Sequence, residues 1–277
     1  MIESSLRKVG LIMFLAKNCK KEDNLKTRKT IKLATLHHYR NIESAQIVDK
    51  GEGKYSFFVK LDGTVEIERR WFALLFQGGV AIDGDQHYPR IMGPLQVTVH
   101  ELQIVEIYNQ TVKVRNASAS IHREALNGFI FCMSAVSELH DALGLFPDYD
   151  DCWYMTATKA HDLAAALSRL LWNNIISGRH SGNHIVDPHA SLENLSIHFG
   201  HAPVSYIDRE IHISDSSVFT VDHFMRKIVD MGFVKPPSFS PEKEYRFSFT
   251  IVAGDKILIP IVDSVILNAE QLVDWAL

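Results

Sequence analysis

The residues best suited to chemistry in this 277-residue chain lie near its C-terminal end, in a Glu-x-Glu pair formed by Glu242 and Glu244. Beyond Glu244, the apolar residues Phe247, Phe249 and Ile251 alternate with polar neighbours, which predicts a half-buried strand. Side chains two residues apart share one face of a strand, so both carboxylates are expected to point into one cleft. Such a pair can stabilise a developing positive charge or activate a nucleophile. A solvated strand entrance is the alternative for the same pattern.

Histidine is abundant, with 14 residues in the chain, but the histidine spacing does not predict a metal site. Five histidines and two acidic residues fall between residues 180 and 201, where glycine and proline favour a long loop over a helix. No His-Glu-x-x-His pattern occurs, and the acidic run at 148–151 lacks calcium-loop spacing. Phosphate-binding loops and the Gly-x-Ser-x-Gly elbow are also absent from the sequence. We therefore expect a flexible loop at 180–201, a surface turn at 148–151, and no bound metal.

The elements that must position the Glu-x-Glu pair are mostly strands. A dense apolar run at 129–133 predicts a doubly buried central strand that delivers Ser134 to its end. An early strand is expected to end at His38, Tyr39 and Arg40. The remaining expected elements are strands at 55–61 and 64–68 flanking an Asp-Gly hairpin turn, a helix or strand at 71–76, two strands within 96–114, strands at 152–158, 204–213 and 256–262, helices at 160–175 and 221–231, and a short helix from residue 268. Strands outnumber helices without alternating regularly with them, which favours an α+β fold.

Size and composition are typical of a chain with a large buried core, with 46% hydrophobic residues and a net charge of -4. The charge excludes a globally basic nucleic-acid-binding protein, but it permits a local basic groove. The apolar run at 9–16 is too short for a membrane span, and it predicts a first helix. We expect residues 1–29 to form this helix and a basic linker (a solvated arm or a polyanion contact), and residues 30–277 to form a single α+β catalytic-type domain. Three widely spaced cysteines fit a reducing compartment, so we expect a cytoplasmic protein that makes no membrane contact.

Three short segments, in a fixed order along the chain, carry a resemblance to a known superfamily. They are His-Tyr-Arg at 38–40, Cys-Met-Ser at 132–134, and Glu-Lys-Glu-Tyr-Arg at 242–246. This order resembles the ADP-ribosyltransferase superfamily, and it is similar to the layout of an uncharacterised family of bacterial proteins of the toxin and defence type. The Phe-Asn-Asp-Pro-Phe segment of that family is absent, and a single serine replaces the Ser-Thr-Ser of many transferases. The resemblance implies an ADP-ribosyltransferase-like split β-sandwich with flanking helices, whose cleft binds NAD as a substrate.

The resemblance also implies roles for the two earlier segments. His38 would hydrogen-bond the adenosine ribose of NAD. Tyr39, or another aromatic side chain such as that of Trp71, would pack on the nicotinamide ring. Ser134 would support NAD and the position of the catalytic glutamate.

For the late segment, the resemblance implies the chemistry itself. Glu244 would hydrogen-bond the nicotinamide ribose and stabilise the oxocarbenium-like transition state as nicotinamide leaves. Glu242 would orient or deprotonate the accepting nucleophile as a general base. Arg40 or Arg246 would pair with the pyrophosphate, since a guanidinium fork suits phosphate oxygens. Arg246 could equally pair with Glu244, two residues away on the same face.

Three classes of function are compatible with these residues. The first is a mono-ADP-ribosyltransferase, a bacterial toxin or phage-defence effector that modifies a macromolecular acceptor (protein or nucleic acid) and is neutralised by an antitoxin protein. The second is a non-catalytic binding or scaffold module of the same fold, with an interface patch around Trp71 and Phe72. The third is a metal-dependent nuclease that uses the carboxylates at 148–151 and the histidines at 180–201. The first is our working hypothesis.

Overall fold

The computed structural model describes residues 13–40, 49–76, 93–215, 217, 223–224, 226–227 and 231–277. Within these ranges the protein is mixed α+β and mostly strands, as the sequence predicts, and it has one main helix. The strands are β1 (Phe14–Cys19), β2 (Thr30–Thr35), β3 (Lys54–Glu68), β4 (Leu95–Ile107), β5 (Thr111–Glu124), β6 (Phe129–Val136), β7 (Asp151–Thr156), β8 (Leu195–Pro203), β9 (Ser205–Tyr206), β10 (Glu210–Ile213), β11 (Val234–Lys235), β12 (Glu244–Ala253), β13 (Lys256–Leu258) and β14 (Ser264–Asn268). The helices are α1 (Leu25–Arg28), α2 (Arg69–Phe76) and α3 (Ala160–Ser181). None of these helices is long and apolar enough to cross a bilayer.

The first sheet is an eight-stranded antiparallel sheet built around β6 and β12. Strand β12 pairs with β8 along one edge and with β6 and β13 along the other. Strand β6 is therefore central, as its continuous apolar sequence predicts, because side chains on both faces of a central strand are buried. Ser134 lies within β6, not beyond its end, and it faces Glu244 in the register with β12.

The other edge of β6 has two partners, which divide it between them. Strand β1 pairs with β6 from Phe14 to Ala16, and then continues along β7 alone as far as Cys19. Strand β2 pairs with the opposite end of β6, through Ala34 and Thr35. In the described part of the chain, residues 131–133 have no strand partner on this edge. The sheet is thus split between β1 and β2, and strand edges of this kind leave backbone groups free for side chains or ligands.

Helix α3 covers one face of the first sheet with a leucine stripe that the sequence predicts. Leu163, Leu167 and Leu171 are at most 1% exposed, and they join the same core cluster as Phe247 and Phe249 of β12. Burying each of these side chains contributes roughly 1.5–3 kcal/mol. The helix runs to Ser181, six residues beyond its predicted end, and stops at Gly182, whose φ of 79° is the left-handed conformation that ends many helices.

The second sheet has the order β10-β3-β5-β4 and a hydrophobic cluster of its own, which includes Trp71 of α2. The predicted hairpin at Asp62-Gly63 is wrong, because β3 continues through these residues with a register shift between Leu61 and Thr64. Strand β5 pairs with β3 on both sides of the shift, and the Asn116 side chain accepts a hydrogen bond of 2.9 Å from the Gly63 amide. The Asp-Gly signal therefore marks a β-bulge, in which Gly63 supplies the positive φ.

The predicted N-terminal helix is wrong over its described part, because Phe14–Cys19 is the strand β1. Leu15 and Ala16 are fully buried between β6 and β7, so this segment belongs to the first sheet and is not a linker outside the domain. A short apolar run gives no periodicity that separates helix from strand, and the two neighbouring strands decide the outcome. Residues 9–12 of the same prediction lie outside the described residues.

Two further sequence predictions need correction. The loop expected at 180–201 is shorter, because residues 195–203 form β8, which pairs with β12 along nine residues. Its glycine and histidines lower the strand signal in the sequence, but the free edge of β12 supplies a partner. The short C-terminal helix is a 3-10 turn at Glu270–Trp275. Most of the helix expected at 221–231 lies outside the described residues.

Candidate active site

The split in the first sheet opens into a cleft with two adjoining cavities. The outer cavity, about 450 Å³, lies between β1 and β2, and the inner cavity, about 80 Å³, lies against the start of β12. Lys17, Asn18, Tyr39 and Tyr149 line both, so the two cavities form one continuous space. The outer volume falls within the roughly 300–1,000 Å³ that is usual for small-molecule sites.

Six of the seven residues singled out in the sequence line this cleft. The inner cavity is lined by Tyr39, Ser134, Glu242, Glu244 and Arg246, and the outer cavity by Tyr39 and His38. They come from four places: the 3-10 turn after β2, the strand β6, the turn before β12, and β12 itself. Trp71, the alternative ring partner, is 2% exposed in the core of the second sheet and lines neither cavity.

Arg40 is the seventh, and it does not line the cleft. Its Nε donates to the backbone oxygen of Glu52 at 2.7 Å, and its Nη1 pairs with Glu124 at 2.9 Å. The guanidinium therefore fastens the turn after β2 to the second sheet. The sequence-based assignment of Arg40 to a pyrophosphate does not agree with this geometry.

Glu244 is a buried carboxylate held by two cations. Arg246 Nε donates to Glu244 Oε1 at 2.6 Å, and Lys235 Nζ lies 2.8 Å from Glu244 Oε2. The backbone amide of Glu244 donates to the Tyr206 hydroxyl at 2.6 Å, which fixes the start of β12. Burial alone would raise the pKa of Glu244, but the charges of Arg246 and Lys235 hold this pKa well below its usual range. Glu244 is therefore an anion at every physiological pH.

Glu242 does not share a strand face with Glu244, contrary to the sequence prediction. It ends the 3-10 turn Pro237–Glu242, and Lys243, with a φ of 49°, reverses the chain before β12 begins. The two carboxylates nevertheless converge, because both bind Lys235, whose Nζ lies 2.6 Å from Glu242 Oε2. Burial raises the pKa of Glu242 to about 7, the charge of Glu244 adds to this, and Lys235 opposes it. Among the described residues no donor contacts the buried Oε1 of Glu242, which leaves this oxygen available to accept a proton.

Arg246 is occupied entirely by protein groups. Besides Glu244, its Nη1 donates to Glu52 Oε1 at 2.8 Å and to the Gly232 backbone oxygen at 2.5 Å, and its Nη2 donates to Glu52 Oε2 at 3.3 Å. Both Arg246 and Glu52 are 1% exposed. The sequence alternative, in which Arg246 pairs with Glu244, is the observed arrangement. The assignment of Arg246 to a pyrophosphate therefore has no support in the geometry.

Sequence reasoning missed Lys235, Glu52 and Lys17, three charged residues that shape the cleft. Lys235 holds the two cleft carboxylates, and Glu52 holds Arg246 from 194 positions away in the chain. Lys17 donates from Nζ to the Cys132 backbone oxygen at 2.9 Å, inside the split. Only Lys17 carries a local signal, as the first cation after the apolar run at 9–16.

The carboxylates at 148–151 serve the packing of the turn before β7. Asp150 accepts a hydrogen bond of 2.8 Å from the Lys21 amide, and Asp151 accepts bonds of 2.8 Å from the Asn24 side chain and the Cys152 amide. Over the residues that the structure describes, no three or more His, Cys, Asp or Glu side chains form a group that could hold a metal ion. The ligand set required by the nuclease alternative is therefore not assembled in this part of the chain.

Comparison with known proteins found no matching family model, no matching curated protein and no matching solved structure. The chemistry of the cleft is therefore inferred from its own residues alone. Of two adjacent carboxylates, Glu244 stays ionised and Glu242 titrates near neutral pH, and a pair separated in this way can divide electrostatic and proton-transfer roles. Such a site can hold a developing cation against Glu244 while Glu242 removes a proton from a nucleophile.

Proposed function

We propose that this protein is an NAD-dependent mono-ADP-ribosyltransferase with a split β-sandwich, acting as a toxin or defence effector on a macromolecular acceptor. The observation that carries the proposal is that Tyr39, Ser134 and Glu244, from three distant segments, line one cleft in the split of the first sheet. These three residues belong to the three segments that carry the resemblance to the ADP-ribosyltransferase superfamily.

The cleft fits NAD in size, charge and surface chemistry. The outer cavity has the volume of a nucleotide site, and aromatic side chains of Tyr39, Phe131, Tyr149 and Trp153 line it. Cationic side chains also line the outer cavity, where a pyrophosphate needs them, and the carboxylates lie in the inner cavity. The nicotinamide ribose is therefore assigned to the inner end, and the adenylate half to the outer end.

In the proposed reaction, the bond between the ribose C1′ and the nicotinamide nitrogen breaks, and nicotinamide leaves with the electron pair. Positive charge develops on the sugar, and the permanently ionised Glu244 stabilises it, as carboxylates do in glycoside cleavage. Ser134 lies opposite Glu244 in the sheet, and its proposed role is to support NAD and the position of this carboxylate. Preorganised charge of this kind acts in the transition state more than in the ground state.

A bond then forms between C1′ and the nucleophile of the acceptor, whose proton passes to Glu242. The free, buried Oε1 of Glu242 and its raised pKa suit this general-base role. Lys235 bridges the two carboxylates and keeps them within one proton-transfer site. An enzyme of this kind would damage the cell that makes it, so an antitoxin protein is the expected partner.

The test is incubation of the purified protein with NAD labelled in its adenylate half and a cell lysate, for wild type and Glu244→Gln. We expect label transfer by the wild type and a loss of about 10²–10³-fold in Glu244→Gln, the size of effect of removing one preorganised electrostatic group. Protease and nuclease digestion of the labelled product would then identify the acceptor as protein or nucleic acid.

The matched control is Asp49→Asn, which breaks a buried ion pair of the same charge network without touching either cavity. Asp49 is 5% exposed and is paired with Arg209 through both oxygens, at 2.8 and 2.6 Å. Thermal melting of both variants is the check that each is folded at the assay temperature. If Glu244→Gln transfers label as well as Asp49→Asn, or a folded wild type releases no nicotinamide, the transferase is refuted.

One observation favours a second candidate, a non-catalytic binding module of the same fold. Both oxygens of Glu244 are already bonded within the protein, to Arg246 and Lys235, as in a structural ion pair. A binding module predicts that Glu244→Gln keeps ligand affinity and that wild type consumes no NAD. The same assay, read for free nicotinamide, separates the two candidates.

A further inference from the structure

The outer cavity carries positive charge that is not paired with the carboxylates Glu242 and Glu244 of the inner cavity. Four cationic side chains line it, from Lys17, Lys20, Arg28 and Lys32, together with a single acidic one, Asp23. Arg28 pairs with Asp23 and is neutralised. Within the described residues, no ion pair involves the three lysines, so the cavity has a net positive charge.

Lys17 occupies the junction of the two cavities. Its ammonium donates one hydrogen bond, of 2.9 Å, to the Cys132 carbonyl in the split, and it lies 5.0 Å above the centre of the Phe131 ring. A lysine has three protons to donate, so two stay available toward the cavity. Burial lowers the pKa of Lys17, whereas Cys132 and Glu244 oppose this effect, and an anion beside Lys17 would oppose it further.

Aromatic side chains stand next to these cations. Phe131 and Trp153 are stacked on each other with ring centres 6.3 Å apart, and Tyr39 and Tyr149 complete the lining. Rings beside lysines are the combination by which proteins hold bases and phosphates of nucleotides together. Arg40 lines neither cavity, and Arg246 is bonded to Glu244 and Glu52, which leaves the lysines as the charges that can meet phosphates.

We propose that the outer cavity is a diphosphate-binding subsite, in which Lys17, Lys20 and Lys32 bind a nucleoside diphosphate group. Lys17 sets the distance between the phosphates and Glu244, since it lies at the junction with the inner cavity. The inference rests on the proposed function only in one respect, the assignment of the sugar beyond the diphosphate as the nicotinamide ribose. Binding of the diphosphate itself requires no transfer chemistry.

The experiment is calorimetric titration of the full chain with ADP and with adenosine. We expect wild type to bind ADP about tenfold or more tightly than adenosine, because charged hydrogen bonds to phosphate are lost with the nucleoside. In Lys17→Met, which keeps the length and packing of the side chain, ADP affinity is expected to fall about tenfold or more. Lys256→Met, at an exposed lysine outside both cavities, is the matched control and should bind ADP as wild type does.

A second variant, Lys20→Gln/Lys32→Gln, tests the subsite at two exposed positions, where substitutions usually change stability little. ADP affinity should fall in this variant, and the salt dependence of binding should decrease. The inference is overturned if folded wild type binds no ADP, if it binds adenosine as tightly as ADP, or if the double variant retains full affinity. Lysine-dependent ADP binding without label transfer would keep the subsite and reject the transferase.

Discussion

Replacing Glu52 by glutamine is expected to destabilise the fold strongly, although Glu52 touches neither cavity of the cleft. Its carboxylate holds the guanidinium of Arg246 through two hydrogen bonds, of 2.8 and 3.3 Å, and both side chains are 1% exposed. The substitution removes one negative charge from a buried cluster and keeps the shape of the side chain. Arg246 then retains only Glu244 as a charged partner.

The size of the effect follows from the separation and the burial of the charges. Two unit charges about 4 Å apart attract by about 4 kcal/mol at an effective dielectric constant near 20. Loss of one partner of a buried pair costs about 3–5 kcal/mol in proteins. Glutamine keeps one hydrogen-bond acceptor, so we expect a loss near the lower end, about 3 kcal/mol.

The assay is urea unfolding at pH 7 followed by circular dichroism, with the free energy of unfolding taken by linear extrapolation. Glu270→Gln is the matched control, since Glu270 pairs with Lys29 at 2.5 Å but its side chain is 63% exposed and the pair is screened by water. We expect no resolvable change in that control. The double variant Glu52→Gln/Arg246→Met should lose less stability than the two single changes added together, because they share one interaction.

A free energy of unfolding for Glu52→Gln that matches the Glu270→Gln control would refute this reasoning. Strict additivity in the double variant would refute it as well, since independent sites add and coupled sites do not. Either result would mean that Glu52 and Arg246 interact more weakly than their burial and their separation indicate.

Two further predictions concern pH and helix packing. Because the pKa of Glu242 is raised from 4.5 to about 7, the folded protein holds a proton there that the unfolded chain has released, so this group lowers stability as pH rises from about 4.5 to 7. The melting temperature of wild type should therefore fall across that pH range relative to the melting temperature of Glu242→Gln. Label transfer should rise through pH 7 in wild type only. If the melting temperatures of the two proteins change with pH in parallel, the raised pKa is contradicted. Gly178→Ala should destabilise the protein by about 1–3 kcal/mol because the added methyl group overpacks the site. Helix propensity alone predicts the opposite, a gain in stability of roughly 1 kcal/mol. The new Cβ would lie 2.3 Å from the Asn183 backbone oxygen, and a rise in the urea midpoint would show that this contact relaxes freely.

Elements with a long, regular pattern could be predicted from the sequence. The apolar run of β6 and the leucine stripe of α3 encode their own burial, and both lie where expected. Strands β1 and β8 could not be predicted, because their conformation depends on neighbours that the local sequence does not contain. β1 is short and apolar without periodicity. In β8, Leu195, Ile197 and Phe199 alternate with polar residues only briefly before Gly200, so the signal is weak. Each strand nevertheless completes the pairing of a central strand.

In the candidate site, too, the residues on strands with a local pattern could be predicted, and the residues joined only by tertiary contacts could not. Glu244 and Ser134 lie on strands whose patterns are local, and the resemblance groups them in one cleft. In the structure they face each other in neighbouring strands and line the inner cavity. The shared strand face of Glu242 was wrong because one residue, Lys243, adopts a left-handed conformation. Lys235 and Glu52 were missed since a buried ion pair depends on tertiary contact, which no spacing in the chain records.

Strand order also determines when during biosynthesis this cleft can exist. β2, near the start of the chain, pairs with β14 at Ser264–Asn268, and the Arg246 that orients Glu244 is tied to Glu52 across 194 positions. A ribosome delivers the chain from the N-terminus, so the early strands must remain without these partners until nearly all the described residues have been made. The cleft is thus completed only after β14 has been made, and a nascent chain that stops before Ser264 lacks the strand that pairs with β2.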